Sequence, residues 1–325
     1  MQHFVALCGG VGGAKLADGL SQVLAPGSLS IIVNTGDDFE HRGLWICPDL
    51  DTVLYTLAGV AHAEQGWGRA DETWRVQTEW RDRGVDTWFQ LGDRDIALHL
   101  YRRELQASGM TLTQITRTLA RRFGVTAELL PMCDQAAPTT VATEIGELPF
   151  QEYFVKHHCA PAVRGFQYGA ERSATLPGEV RAALERPDLA GIVLCPSNPY
   201  LSIAPILAVP GLKDLLVSAR APVLAVSPLI AGAAVKGPAA KIMNELALPV
   251  SPLEIARHYR EFLDVMLIDE GDRALIGARE SADPQLEPAA VLMRSAADRR
   301  NLAQTCLAVI RGRPDLASSR SVGSA

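Results

Sequence analysis

His3-Phe4-Val5-Ala6-Leu7-Cys8 is a short apolar run that ends directly in Gly9-Gly10-Val11-Gly12-Gly13, and Ala14-Lys15-Leu16-Ala17 then reads as helix. Strand, glycine loop and helix in that order place backbone N–H groups at a helix N-terminus, where a phosphate can bind. Glycine has no Cβ, so the turn can take positive φ and an anion can approach the backbone closely. The loop matches neither common fingerprint. Its glycines miss the spacing of G-x-x-x-x-G-K-[ST], and G-x-G-x-x-G would need a glycine where Lys15 stands. By itself the stretch is therefore either a phosphate cradle or a tight turn without a ligand.

Further apolar runs set the fold class. Leu29–Val33 follows the first helix, and Ile192–Cys195, Val223–Val226 and Val265–Ile268 lie late in the chain. Helical patterns (Ala14–Leu24, Leu212–Ala219, Leu253–Phe262) separate them. Buried strands alternating with helices predict a Rossmann-like α/β fold with a mainly parallel, doubly wound sheet. Residues 51–124 are largely helical in pattern, and with Trp45 just before them they contain every tryptophan. Val125–Leu130, Thr139–Ile145 and Phe150–Val155 read as short antiparallel strands in a hairpin region of residues 125–156. The expectation is a single domain over residues 1–311 carrying these two insertions, with a polar, frayed tail over 312–325.

Composition narrows the function. The formal net charge is −6, with no clustered Lys and Arg, which argues against a nucleic-acid partner. No apolar stretch reaches membrane-spanning length, and no basic leader precedes the first strand, so a cytoplasmic protein with no membrane partner is expected. The six cysteines are scattered without a C-x-x-C pair, which indicates neither a zinc site nor a disulfide scaffold.

Polar turns follow the predicted strands. Asn34-Thr35-Gly36-Asp37-Asp38 closes the second one, where ligands of open α/β sheets bind. Its carboxylates read equally as ligands for a divalent cation or as part of an Asx-type turn. Pro48-Asp49-Leu50-Asp51-Thr52 opens a helix; Asp51 or Thr52 suits an N-cap and Asp49 the helix dipole. A cap explains one acid. It does not explain Asp37, Asp38, Asp49 and Asp51 together beside a glycine loop, a grouping that fits metal-assisted phosphoryl chemistry. Ser197-Asn198, between two prolines, and Ser227-Pro228 end later strands, and Lys236-Gly237-Pro238 follows. The tryptophan-rich stretch up to Trp88-Phe89 is either core or the floor of a pocket for a flat ring. Asp93-Arg94-Asp95 reads as charges that pair on a solvated helix start, and His99, one turn later, reads as a structural histidine rather than a catalytic base.

Taken together, these segments resemble the 2-phospho-L-lactate transferase family of coenzyme F-420 biosynthesis, with its bacterial phosphoenolpyruvyl relatives. The resemblance rests on G-G-V-G-G-A-K-L (Gly9–Leu16), N-T-G-D-D (Asn34–Asp38), C-P-D-L-D-T-V-L-Y-T-L (Cys47–Leu57), W-G-R-A-D-E-T-W (Trp67–Trp74), W-F-Q-L-G-D-R-D-I-A-L-H (Trp88–His99) and L-L-P-M-C-D (Leu129–Asp134). F-Q-E-Y-F-V (Phe150–Val155), P-S-N-P-Y-L-S-I-A-P-I-L (Pro196–Leu207), V-S-P-L-I (Val226–Ile230) and K-G-P (Lys236–Pro238) continue it in order. The chain departs from the family pattern at Gln135, where a second acid is frequent, and at Ala231-Gly232, where two glycines are common.

The resemblance implies a Mg²⁺-dependent transferase. Its donor would be a diphospho-5'-guanosine carrying phospholactate, phosphoenolpyruvate or phosphoglycerate. Its acceptor would be the ribityl hydroxyl of 7,8-didemethyl-8-hydroxy-5-deazariboflavin (Fo), with GMP released and a homodimer as the assembly. By the same analogy Asp37 holds the metal with Asp49 as second candidate, and Asp51 and Arg94 contact the deazaflavin. Asp37, Asp51 and Arg94 are thus the catalytic candidates. Gly10, Gly12, Gly13, Lys15, Asn34, Asp38, Ser197, Asn198, Ser227 and Lys236 complete the substrate-binding set. Two rival classes share parts of the pattern. A gluconeogenesis-factor (YvcK-like) nucleotide-sugar-binding regulator would have the glycine loop and N-T-x-D-D turn but is not expected to carry Trp67–Trp74, Trp88–His99 or Phe150–Val155. An NAD(P)-dependent oxidoreductase would need the intact glycine fingerprint and a single acid after the second strand.

Overall fold

The computed structural model describes residues 2–235 and 237–313. Seven strands form the central sheet: β1 (His3–Cys8), β2 (Leu29–Val33), β3 (Glu128–Pro131), β4 (Leu189–Leu194), β5 (Val223–Val226), β6 (Val265–Asp269) and β7 (Gln285–Ala289). They lie in the order β7-β6-β5-β4-β1-β2-β3, and every ladder is parallel. Burial on both faces explains the unbroken apolar runs. Along β1, Phe4, Ala6 and Cys8 point into one core and Val5 and Leu7 into the other, the period-two alternation of a strand covered on both sides.

Five longer helices matter for the site: α1 (Gly10–Val23), α2 (Pro48–Leu57), α3 (Asp93–Ala107), α4 (Leu112–Arg122) and α5 (Ala296–Gly312). α1 packs against both α2 and α5 over one face of the sheet. Helices α2 to α4 lie in the long connection from β2 to β3. Among the described residues no helix is long and apolar enough to cross a membrane. The polar tail expected over 312–325 falls outside the described residues beyond Arg313.

Two strand expectations need correction. The run Val125–Leu130, read as antiparallel, instead supplies β3, paired parallel to β2 at the sheet edge. Apolar patterning does not encode strand direction; the long helical crossover that returns the chain beside β2 does. Phe150–Val155 is not a strand either. Glu152–Lys156 is a helical turn, and Phe150 stacks on Phe154 with ring centroids 5.4 Å apart. Its aromatics at 150, 153 and 154 follow the i, i+3, i+4 spacing of a helix. The small antiparallel sheet is built from Thr139–Thr143, Gly146–Pro149 and Val163–Tyr168. A second hairpin, Phe39–His41 with Leu44–Ile46, was not anticipated. Its two-residue turn, Arg42-Gly43, takes positive φ at both positions, as such tight hairpins require.

α1 and α5 approach so closely that a Cβ on Gly19 would collide with the Arg299 carbonyl group. Gly19→Ala should therefore destabilise the protein by about 1–2 kcal/mol, because overpacking outweighs the gain in helix propensity of about 1 kcal/mol. Urea unfolding checks this; a more stable variant would contradict the packing described.

Candidate active site

The strand order reverses between β1 and β4, so the chains leaving these neighbours diverge and open a crevice at their C-terminal ends. The glycine loop forms its floor. Gly10 takes φ +63°, and a Cβ on Gly12 would sit 2.5 Å from the Pro196 carbonyl oxygen. The loop therefore lies directly on the β4 turn. Ser197 Oγ locks the two together, accepting from Gly9 N–H (3.1 Å) and donating to the Gly9 carbonyl (2.9 Å). Gly9, at the N-cap position, offers no side-chain cap and no acid sits in the first turn of α1; the positive end of its dipole faces the crevice.

Asn34 ties the second strand end into this floor. Its Nδ2 donates to Asp49 Oδ2 (2.9 Å) and to Asp37 Oδ1 (3.3 Å), and its Oδ1 accepts from Gly36 N–H (2.8 Å). The Asx turn and the acid cluster, left as alternatives by the sequence, are thus one device. Asp49 Oδ1 also accepts from Gly10 N–H at 2.7 Å. Gln151 donates to the Asp37 backbone carbonyl at 3.1 Å.

Asp37, Asp38, Asp49 and Asp51 are all buried. Burial pushes Asp37 well above the ordinary carboxylate range, and the neighbouring Asp49 and Asp38 charges add to it. Burial also raises Asp38 strongly, against the Cys47 thiol and the Arg102 guanidinium, which favour its charged form. Its two oxygens find no hydrogen-bond partner among the described residues. Asp49 is pushed up to about 6 by burial, with the Asn34 and Gly10 bonds opposing. The Asp37 and Asp49 carboxyls thus stand together in the cleft beside the start of α1. Among the described residues no three acidic, His or Cys side chains converge to cage a metal. Asp37 and Asp49, which both line the cleft, are the carboxyls that could hold a cation there.

Asp51 is not the helix cap. Cys47 occupies that position without a side-chain bond, and Pro48 opens α2. Asp51 instead pairs through both oxygens with the buried Arg102 of α3, with Nη1 to Oδ2 at 3.1 Å and a second, shorter contact from Nη2 to Oδ1. His99 Nδ1 lies 3.0 Å from Arg102 Nη1. Burial, with Arg102 beside it, pushes His99 down to about 2, so it stays neutral.

Arg94 does not reach the cleft. It is exposed, and its Nη1 donates to the Ala70 carbonyl (3.3 Å). Its neighbour Asp95, about 100° further around α3, lines the cleft instead and accepts from the Tyr55 hydroxyl at 2.6 Å. The stretches Trp67–Trp74 and Trp88–His99 are stitched together reciprocally. Glu72 caps α3 by accepting from the Arg94 and Asp95 N–H groups (2.8 and 3.0 Å), while Asp93 accepts from Val76 N–H (3.1 Å) and Thr73 Oγ1 (2.5 Å).

Other expected contacts are placed less directly. Lys15 lines the cleft, and its Nζ donates to the Met293 carbonyl at 3.2 Å. Ser197, Asn198 and Ser227 also line it. Asn198 Oδ1 accepts from Tyr200 and Leu201 N–H (2.9 and 3.1 Å) and Ser227 Oγ accepts from Leu229 N–H (3.0 Å), so these two side chains brace their own turns. Lys236 lies outside the described residues. Arg102, Asp95 and Tyr55 were missed from the sequence. The signal was available, since Asp51 and Tyr55 stand at i, i+4, and Asp95, His99 and Arg102 at i, i+4, i+7.

The cleft measures about 710 Å³. Its outer wall is aromatic: Trp67, Trp88 and Phe89 come from the long insertion, and Phe150 and Phe154 from the turn opposite. Trp67 is 40% and Phe154 38% exposed, which marks the mouth.

A glycine-loop floor that opens into an aromatic wall on a Rossmann-like core defines the class of site. Residues 4–310 match the family model described as 2-phospho-L-lactate transferase CofD. The phosphoenolpyruvate transferase of Kitasatospora aureofaciens is 40% identical over 316 residues, covering 94% of this chain and 97% of that one. The 2-phospho-L-lactate transferase of Methanosarcina acetivorans is 39% identical over 300 residues, covering 92% and 96%. A solved structure from the UPF0052 family of Bacillus halodurans superposes with a TM-score of 0.59 at 13% identity, over 94% of this chain and 98% of that one, a likeness of fold alone. The chain belongs to the 2-phospho-L-lactate transferase CofD family.

Raised carboxyl pKa values have a consequence for stability. Where the folded value exceeds the unfolded one, near 3.9, the folded state binds more protons, so stability falls as pH rises. The loss runs from about pH 4 through about 6 for Asp49 and about 7 for Asp95. Wild type should therefore lose melting temperature between pH 5 and pH 8 relative to Asp95→Asn, in which that carboxyl does not titrate; His99, held neutral by burial, acts in the opposite sense and alike in both proteins. Mg²⁺ should recover more of this at pH 8, and Asp37→Asn should remove that recovery. Calorimetric melting checks it; identical pH curves for wild type and Asp95→Asn would contradict the burial of this charge.

Proposed function

We propose that the protein transfers a phospho-acid group (phospholactyl, phosphoenolpyruvyl or phosphoglyceryl) from a diphospho-5'-guanosine donor to the ribityl hydroxyl of Fo. GMP leaves, and coenzyme F-420-0 or its dehydro form results. The observation that carries this reading is the continuity of one cleft from the α1 N-terminus and the acid cluster to the aromatic wall. A diphosphate and a planar ring can occupy it together. The printed names of the two relatives, phosphoenolpyruvate transferase and 2-phospho-L-lactate transferase, support the same chemistry.

In this reading the N–H groups of the first turn of α1 bind the diphosphate, and the Ser197 lock keeps that turn on the β4 end. The aromatic wall holds the tricycle and excludes water. Asp51, held through both oxygens by Arg102, orients the acceptor. The ribityl oxygen forms a bond to the acid-bearing phosphorus as the bond from that phosphorus to the bridging oxygen breaks. The bridging oxygen leaves with GMP, and the hydroxyl proton passes to solvent. Such a displacement depends on alignment and charge neutralisation, not on a covalent nucleophile. Asp37, with Asp49, would hold Mg²⁺, which neutralises charge on the diphosphate.

The test supplies purified protein with Fo, GTP, Mg²⁺, a guanylyltransferase and each phospho-acid in turn, and reads the product by mass spectrometry. A phosphodiester of Fo should form with at least one acid. Asp37→Asn should slow its formation by about 10²-fold or more, the scale of losing a transition-state electrostatic group. No phosphodiester with any of the three acids would overturn the reading.

A further inference from the structure

Asp95 has no role in the chemistry described so far, yet it is a buried carboxyl on the cleft wall. It sits where α2 and α3 face each other, beside Trp67-Gly68 and away from the phosphate floor. The Tyr55 hydroxyl fixes its Oδ1 at 2.6 Å. Its Oδ2 makes no hydrogen bond among the described residues. Gly68 leaves room there: a Cβ built on it would lie 3.8 Å from Oδ2. The result is a carboxyl held at one oxygen and open at the other, set among aromatic rings.

We propose that Asp95, braced by Tyr55, is the specificity-determining contact to the acceptor ring, pairing with the adjacent N–H and carbonyl edge of a pyrimidinedione. This rests on the transferase reading above, since it takes the ring to be that of a deazaflavin. The pairing needs both a donor and an acceptor. A neutral carboxyl supplies them: Oδ2–H donates to the ring carbonyl, and the second lone pair of Oδ1 accepts from the ring N–H. An ionised carboxylate offers acceptors only and would face the ring carbonyl with a repelling charge.

The surroundings favour the neutral form. Burial is the main cause, and it pushes Asp95 up to about 7, with Asp51 and Glu72 adding to the shift and the Tyr55 bond and Arg69 opposing it. Asp51 comes from α2, Glu72 and Arg69 from the loop before α3, and His99, which stays neutral, from the next turn of α3. Arg102 is committed to Asp51. Asp51 differs from Asp95 in its partner: burial raises it too, but the Arg102 guanidinium paired with both of its oxygens opposes that push.

The test is a fluorescence titration of Fo with wild type, Asp95→Asn and Asp95→Leu at about pH 6 and about pH 8.5. Asparagine keeps size, accepts from Tyr55 and still offers a donor and an acceptor, but it does not titrate. Wild type should lose about tenfold or more in Fo affinity between the two pH values relative to Asp95→Asn, because only the neutral fraction competes for the ring. Any pH dependence common to both proteins belongs to Fo. Asp95→Leu should bind at least about tenfold more weakly than Asp95→Asn at both pH values, while its circular dichroism spectrum stays that of wild type. Identical pH curves for wild type and Asp95→Asn, or wild-type affinity in Asp95→Leu, would overturn the inference and leave the transferase reading standing. Failure of wild type to bind Fo at either pH would overturn that reading and, with it, the role given to Asp95.

Discussion

The cleft floor depends on where the Asp49 carboxylate sits. One oxygen accepts from Gly10 N–H at 2.7 Å and the other from Asn34 Nδ2 at 2.9 Å. Those two bonds join the glycine loop after β1, the polar turn after β2 and the first turn of α2. A Cβ on Gly9 would strike the same carboxylate, so the close approach requires glycine there. Without that clasp three separately folded chain ends would have no shared geometry. With it, the α1 N-terminus and two further carboxylates face one space.

Burying so many acids is costly unless each has a specific answer. The answers differ by residue. Asp51 has a guanidinium, itself almost wholly inaccessible. Asp95 has a phenol, Asp49 has an amide and a backbone donor, and Asp37 has weaker bonds to Asn34 and Gln151. Asp38 has no donor of ordinary length among the described residues. Asp38 does not line the cleft and lies near Cys47 and Arg102; of the two less compensated acids only Asp37 faces it.

Much of this was legible in the sequence. The apolar runs with helices between them predicted a doubly wound sheet, and the strand order β3-β2-β1-β4-β5-β6 is the Rossmann order with one strand added. The polar turns after β1, β2, β4 and β5 all line or brace the same edge. The misreadings share a cause. The run at 125–130 and the aromatics at 150–155 were judged on short windows, where neither strand direction nor a helical turn can be told from patterning. The side-chain placements lie one step deeper. Arg94 and Asp95 are neighbours in sequence, and only the rotation of α3, fixed by the Glu72 cap, decides which faces the cleft. Asp51 resembled a cap because its true partner is Arg102, fifty-one residues away, and no local pattern announces a long-range ion pair.

In the proposed function a nucleoside diphosphate binds over the first turn of α1, with a cation on the Asp37 side. A crystal structure of the protein with guanosine diphosphate and Mg²⁺ tests it most directly. The account predicts phosphate oxygens within hydrogen-bond distance of the N–H groups of Val11 to Gly13, and a metal in contact with Asp37. A diphosphate bound elsewhere, or bound at this turn with the metal held away from both Asp37 and Asp49, would contradict it.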